Sequence, residues 1–184
     1  MPPRQTKCKI CRTLFAKRSI THKVCGPDCA IELATQDRQK REKKAHREQK
    51  VKQRTRRDWL KLAQSAVNLY VRKRDEALPC ISCGRHHNGQ YHAGHYMSVG
   101  ARPELRFDLA NINKQCAPCN DHLSGNIALY RINLIRKIGQ AEVDRLEGPV
   151  PPQKWTIEEL IEIRKTYTAK AKDCHKDIHE TGEF

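Results

Sequence analysis

The stretch Cys80–Asn120, CISCGRHHNGQYHAGHYMSVGARPELRFDLANINKQCAPCN, carries a cysteine pair at x2 spacing at each end, Cys80/Cys83 and Cys116/Cys119. A tight knuckle brings such thiolates onto one ion, and four cysteines suit tetrahedral zinc. Between the pairs lie His92, His95 and Asn111, and Asn120 directly follows the last cysteine. Asn88-Gly89 is a turn signal before Gln90–Tyr96, which reads as a short strand. Residues 97–105, with Gly100 and Pro103, read as a loop, and Arg106–Asn113 as a returning strand. After Cys119 a helix is expected, with Ile127, Tyr130, Leu134 and Ile138 on one face. Two strands and a helix around zinc make a ββα-plus-metal unit, so the expected fold class is α+β and helix-rich.

Upstream, Cys8-x2-Cys11-x13-Cys25-x3-Cys29 forms an expected zinc knuckle over residues 1–30. Bound metal supplies folding energy that so short a segment lacks. Four cysteines leave no open coordination position, so both zinc sites read as structural. From Ile31 to Ala77 there is no proline or glycine, and good helix formers dominate, which predicts one long helix or two in line over 31–77. Between Gln36 and Arg57 stand 11 Lys/Arg against three acids, with almost no apolar residue. That half is a solvated helix or an arm that lies along phosphates. In the second half Trp59, Leu62, Ala63, Ala66 and Tyr70 recur at helical spacing and read as a core stripe or a dimer seam. Leu78-Pro79 ends it. The expected ββα-plus-metal core is 78–138 and a helical tail follows over 139–184, where Thr156-x-x-Glu159 signals a capping box. Cys174, His175 and His179 offer metal donors, although a solvated terminus is the default reading.

The chain has 184 residues, 38% apolar, with a mean hydropathy of −0.82. A large single core is therefore not expected, and metals or a partner chain would support small units. Its 36 Lys/Arg against 21 Asp/Glu give +15, which points to nucleic acid as partner. A membrane surface fits less well, because the basic segments lack an apolar opposite face. No apolar run approaches the roughly 20 residues of a span, nor forms a signal core near the N-terminus. Eight of the nine cysteines sit in close pairs, as metal sites do in a reduced compartment. The expected setting is soluble, intracellular and reduced.

Hydrolysing a phosphodiester needs a base for the attacking water and a hard cation at the phosphate oxygens. A neutral imidazole serves the first need, and oxygen donors such as amides suit the second. The central stretch offers both beside its thiolates. Cys80-x2-Cys83, His92-Ala-Gly-His95 and Asn111-x4-Cys116-x2-Cys119-Asn120 resemble the HNH (ββα-metal) endonucleases. That resemblance implies His95 as general base, Asn111 as loop brace and Asn120 as ligand of a catalytic Mg²⁺ or Mn²⁺. The asparagine after the final zinc cysteine looks most like phage endonuclease VII. There an acidic residue precedes the histidine by three, where this chain has His92, an expected site residue of open role.

The N-terminal knuckle, the basic helix, Gly94-His95-Tyr96, Leu105-Arg106-Phe107-Asp108 and Cys119-Asn120-x4-Gly125-Asn126 together resemble the NinG/Rap recombination endonucleases of lambdoid phages. This likeness implies structure-selective cutting of branched DNA such as Holliday junctions and D-loops, in the host cytoplasm, with recombination proteins as possible partners. Cutting opposite strands of a junction calls for two sites, hence an expected homodimer paired through the Trp59/Tyr70 stripe. The competing readings are a non-catalytic zinc-containing DNA- or RNA-binding protein, and a zinc-stapled adaptor.

Overall fold

The structure is a computed structural model that describes residues 5–174. It divides into two compact units, Met1–Arg54 and Thr55–Phe184. The fold is α+β and helix-rich, with two small two-stranded sheets. His175 and His179 lie outside the described residues.

In the first unit β1 (Gln5–Lys7) pairs antiparallel with β2 (Leu14–Ala16), with Thr6 opposite Phe15. Their connection closes through the Cys8 N–H donating to the Thr13 carbonyl at 2.9 Å, and Arg12 turns it at φ 66°. Helix α1 (Pro27–Lys52) starts on a proline, whose fixed φ and missing N–H suit the first helical turn. None of its residues is buried, as its sparse apolar content requires.

The second unit begins with α2 (Arg56–Arg74). The 31–77 stretch is thus two helices in different units, interrupted without proline or glycine. The interruption is a capping box. The Asp58 N–H donates to Thr55 Oγ1 at 3.3 Å, and the Thr55 N–H donates to Asp58 Oδ2 at 2.9 Å. Satisfying orphan N–H groups in this way stabilises a fresh helix start over continuation. Trp59, Ala63, Val67 and Val71 are buried on one face of α2, against Leu160 of α5 (Ile157–Asp173). Tyr70 meets Tyr167 with ring centroids 5.4 Å apart. The stripe expected as a dimer seam is therefore covered by α5 of the same chain. A capping box, Thr156 with Glu159, opens α5 as its sequence predicts.

Strands β3 (Tyr91–His95) and β4 (Ile112–Cys116) pair antiparallel, with Tyr91 opposite Cys116 and His95 opposite Ile112. The strand expected over 106–113 starts only at Ile112. Residues before it turn instead: Asp108 Oδ1 accepts from the Ala110 N–H at 2.9 Å, and the Asn111 N–H donates to the Asp108 carbonyl. An aspartate that bonds its own backbone two residues on favours a turn over a ladder. Gly94 faces Gln115, whose Oε1 would lie 2.0 Å from any Cβ at that position.

After β4, a single wide turn over Pro118–His122 precedes α3 (Ile127–Ile138), and α4 (Gln140–Glu147) follows. Tyr130, Leu134, Val143 and Leu146 join Tyr96 and Leu105 in a second core. A buried polar knot ties α2, β4 and α3 together around Asp75, which is 2% exposed. Asp75 accepts from Arg74 at 2.7 Å, from the Lys114 N–H at 3.1 Å and from Lys137 at 3.2 Å. Burial alone would raise the Asp75 pKa, but Arg74 and Lys137 hold it below the usual carboxylate value.

Candidate functional site

Both cysteine sets converge as their spacing predicts. Cys8, Cys11, Cys25 and Cys29 form one cluster, and Cys80, Cys83, Cys116 and Cys119 the other, with all sulfurs of each within 4.8 Å. Tetrahedral zinc with sulfur bonds near 2.3 Å would set its ligands about 3.8 Å apart. The sulfurs observed fit that spacing: 3.7 Å for Cys25–Cys29, 3.4 Å for Cys11–Cys25 and 4.0 Å for Cys83–Cys116. Four thiols this close resist joint ionisation. The pKa of Cys116 is pushed up to about 12, first by burial and then by Cys80 and Cys119. Cys25 also reaches about 12, through its sulfur neighbours. A bound dication removes that repulsion, so both clusters can hold zinc.

The central sulfurs also receive donors from the fold. The Cys116 N–H lies 3.3 Å from Cys80 Sγ, and Asn126 Nδ2 lies 3.7 Å from Cys119 Sγ. His87 Nε2 lies 3.2 Å from Cys83 Sγ, so His87 is half-buried against the cluster rather than an exposed loop residue like His86. The left-handed run Ser124, Gly125 and Asn126 wraps the chain around this corner into α3. At φ 86° Gly125 is the residue for which that geometry is easiest.

Beside the central cluster an open cleft of about 570 Å³ runs past the end of β3. His95 and Asn120 both line it, with Tyr96, Met97, Ser124 and Ile127. His95 Nε2 is 3.1 Å from the Arg106 carbonyl. A carbonyl only accepts, so Nε2 carries the proton and Nδ1 is left as the basic nitrogen. Burial lowers the His95 pKa below 6.5, the Arg106 carbonyl opposes this, and the charge of Arg106 lowers it further. The ring is therefore neutral at pH 7.

Asn111 is fully buried in the loop behind the cleft. Its side chain accepts from the Met97 N–H at 2.7 Å and donates to the Met97 and Leu105 carbonyls at 3.0 and 3.2 Å. These bonds fix the backbone just after His95. Asn120 Nδ2 donates to Asp121 Oδ1 at 2.5 Å, and His92 Nε2 lies 3.2 Å from Asp121 Oδ2. His92 sits one residue out of phase with Ala93 and His95 on β3, and it meets Asp121 rather than the residues lining the cleft. Asp121 thus brings a carboxylate beside Asn120 and His92. Asp108 is engaged by Arg145 at 2.7 Å and by its own turn. A smaller cavity of about 290 Å³, lined by Asp75, Cys80, Lys114 and Lys137, has these charges bonded internally.

The class so defined is a small helix-rich α+β protein with two four-cysteine clusters that can hold zinc, one of them adjoining a histidine–amide cleft. A family model described as "Bacteriophage Lambda NinG protein" matches residues 1–177, and the chain belongs to this NinG family of lambdoid phages. It is similar to Protein ninG of Escherichia phage 933W, 40% identical over 198 residues that cover 98% of each chain. To Protein ninG of Escherichia phage lambda it is 39% identical over 200 residues, again 98% of each. Protein ninG of Salmonella phage P22 is 39% identical over 197 residues, 97% of each. No solved structure matches the chain. Among the described residues no helix is long and apolar enough to cross a membrane.

Proposed function

We propose that this chain is a metal-dependent endonuclease that cuts branched DNA at the His95 cleft, on an HNH-like ββα unit braced by zinc. The observation that carries the reading is that His95 and Asn120 line one cleft, with Nδ1 of a neutral imidazole left as base. In the reaction Nδ1 takes a proton from water, the water oxygen bonds to phosphorus, and the P–O3′ bond breaks. The 3′ oxygen leaves and collects a proton from solvent.

The donors near Asn120 fit a hard dication: its own amide oxygen, whose amide nitrogen is turned to Asp121, and the Asp121 carboxylate. Asn120 and Asp121 would hold such an ion, Mg²⁺ or Mn²⁺, which would supply charge neutralisation at the phosphate. His92 orients Asp121, and Asn111 holds the loop that follows His95. Branched DNA as substrate rests on the resemblance to the NinG/Rap recombination endonucleases, and the +15 charge suits several converging phosphate backbones. A homodimer would supply the second site, joined by a surface other than the covered α2 stripe.

The test is to incubate the zinc-loaded protein with a labelled four-way junction and with its linear arms, adding Mg²⁺ or Mn²⁺. The expected result is nicking of the junction in preference to the arms, dependent on the added ion. Binding without nicking under any divalent ion would return the chain to the non-catalytic zinc-protein reading.

A further inference from the structure

Resting on the endonuclease reading, we propose that Arg106, whose carbonyl holds the His95 ring, grips a DNA phosphate next to the cleft, its guanidinium held by Gln64. Among the described residues of the second unit four arginines have carboxylate partners, and Arg56 instead donates to the Trp155 carbonyl at 2.7 Å. Arg74 pairs with Asp75 at 2.7 Å, Arg102 with Glu104 at 2.5 Å, Arg131 with Glu147 at 2.7 Å and Arg145 with Asp108 at 2.7 Å. Arg106 is half-buried, and no carboxylate among the described residues pairs with it. Its guanidinium contact is Nη1 to Gln64 Oε1, at 3.4 Å. Gln64 is itself oriented by donating to Asn68 Oδ1 at 2.8 Å along α2.

A cation partly removed from water without a counter-ion is costly unless an anion joins it. Burial alone lowers the Arg106 pKa, with no acid opposing it. The backbone of the same residue accepts from His95 Nε2, so the unpaired cation and the base are fixed to each other by one residue. Its charge also reaches the ring and disfavours the imidazolium. The missing partner is therefore an anion beside His95, and a planar guanidinium fork matches two oxygens of one phosphate. Seating a DNA phosphate there would bring the backbone to the neighbourhood of the base.

The experiment measures junction affinity of the full zinc-loaded chain across a salt titration without added divalent ion, for wild type, Arg106→Ala, Arg106→Gln and Arg106→Lys. Arg106→Ala should bind about tenfold more weakly, with a log K versus log salt slope shallower by about one. Arg106→Lys keeps the charge and should keep the slope. In nicking assays the acid limb of the Arg106→Ala pH profile should move upward, because His95 then holds its proton more readily. Unchanged affinity and slope in Arg106→Ala at full zinc content would overturn the proposal. If Arg106→Ala loses zinc, the Gln and Lys variants decide, and equal slopes for the two would overturn it. Wild type that binds but never nicks would remove the endonuclease reading, and Arg106 would then stand or fall on the salt slope alone.

Discussion

In the central cluster three of four sulfurs are buried, whereas in the N-terminal cluster only Cys8 is. Two of the central cysteines belong to the hairpin and the wide turn, Cys116 ending β4 and Cys119 lying in the turn, and Asn120 follows it into the cleft. The N-terminal ligands flank three-residue strands and the start of a helix with no buried residue. Identical ligand chemistry is thus used once to position a cleft and once to hold a local knuckle. On the proposed reading, an ion in the first cluster would help to align His95 with Asn120, and an ion in the second would fold its own segment.

The largest expected effect breaks this contrast directly. Cys116→Ser should lose one zinc per chain, lose cooperative melting of the second unit and abolish nicking, because structural zinc contributes roughly 10 kcal/mol or more in small domains. Cys11→Ser should also lose one zinc, yet keep the far-UV melting of the second unit and nick within a few-fold of wild type. Zinc counting with circular dichroism separates the two. Equal collapse in both variants would mean that the clusters are not distinct in role.

Asp75→Ala comes next, with a loss of about 3–5 kcal/mol in denaturant unfolding, since the buried Lys114 N–H would lose its acceptor and the half-buried Arg74 and Lys137 their carboxylate. Its pH dependence has a defined sign. The folded carboxyl is held below its usual value near 3.9, so its stabilisation is present above about pH 4 and fades as pH falls through the folded value. Wild type should show this acid loss and Asp75→Ala should not. Gly94→Ala is smaller, about 1–3 kcal/mol, because the added methyl meets Gln115, itself held by Ser82 and the Gly125 carbonyl. Nicking should fall with it, as His95 is the next residue. The smallest effect belongs to α1: removing the exposed Lys44–Glu48 pair by Glu48→Ala should change stability by no more than about 0.5 kcal/mol.

The same contrast explains what the sequence revealed. Both clusters were legible, because ligand spacing is a local property and eight thiols leave few alternatives. The first strand of the central hairpin and the capping box of α5 were legible for the same reason. The start of β4 was not, because the Asp108 side chain wins residues 108–110 for a turn. The split between α1 and α2 was written in Thr55 and Asp58, a signal easily overlooked in a run of helix formers. Where Asp121 and Arg106 stand relative to the site was not legible. One depends on a wide turn that carries a carboxylate to His92, and the other on a counter-ion missing from its surroundings.

Single-turnover nicking of a four-way junction by His95→Ala, at saturating protein and with affinity measured in parallel, tests the cleft most directly. Loss of a positioned base should slow nicking by at least about a hundredfold while junction affinity stays within a few-fold. Nicking by His95→Ala at close to the wild-type rate would contradict the assignment of the base, and with it the cleft as the place of chemistry.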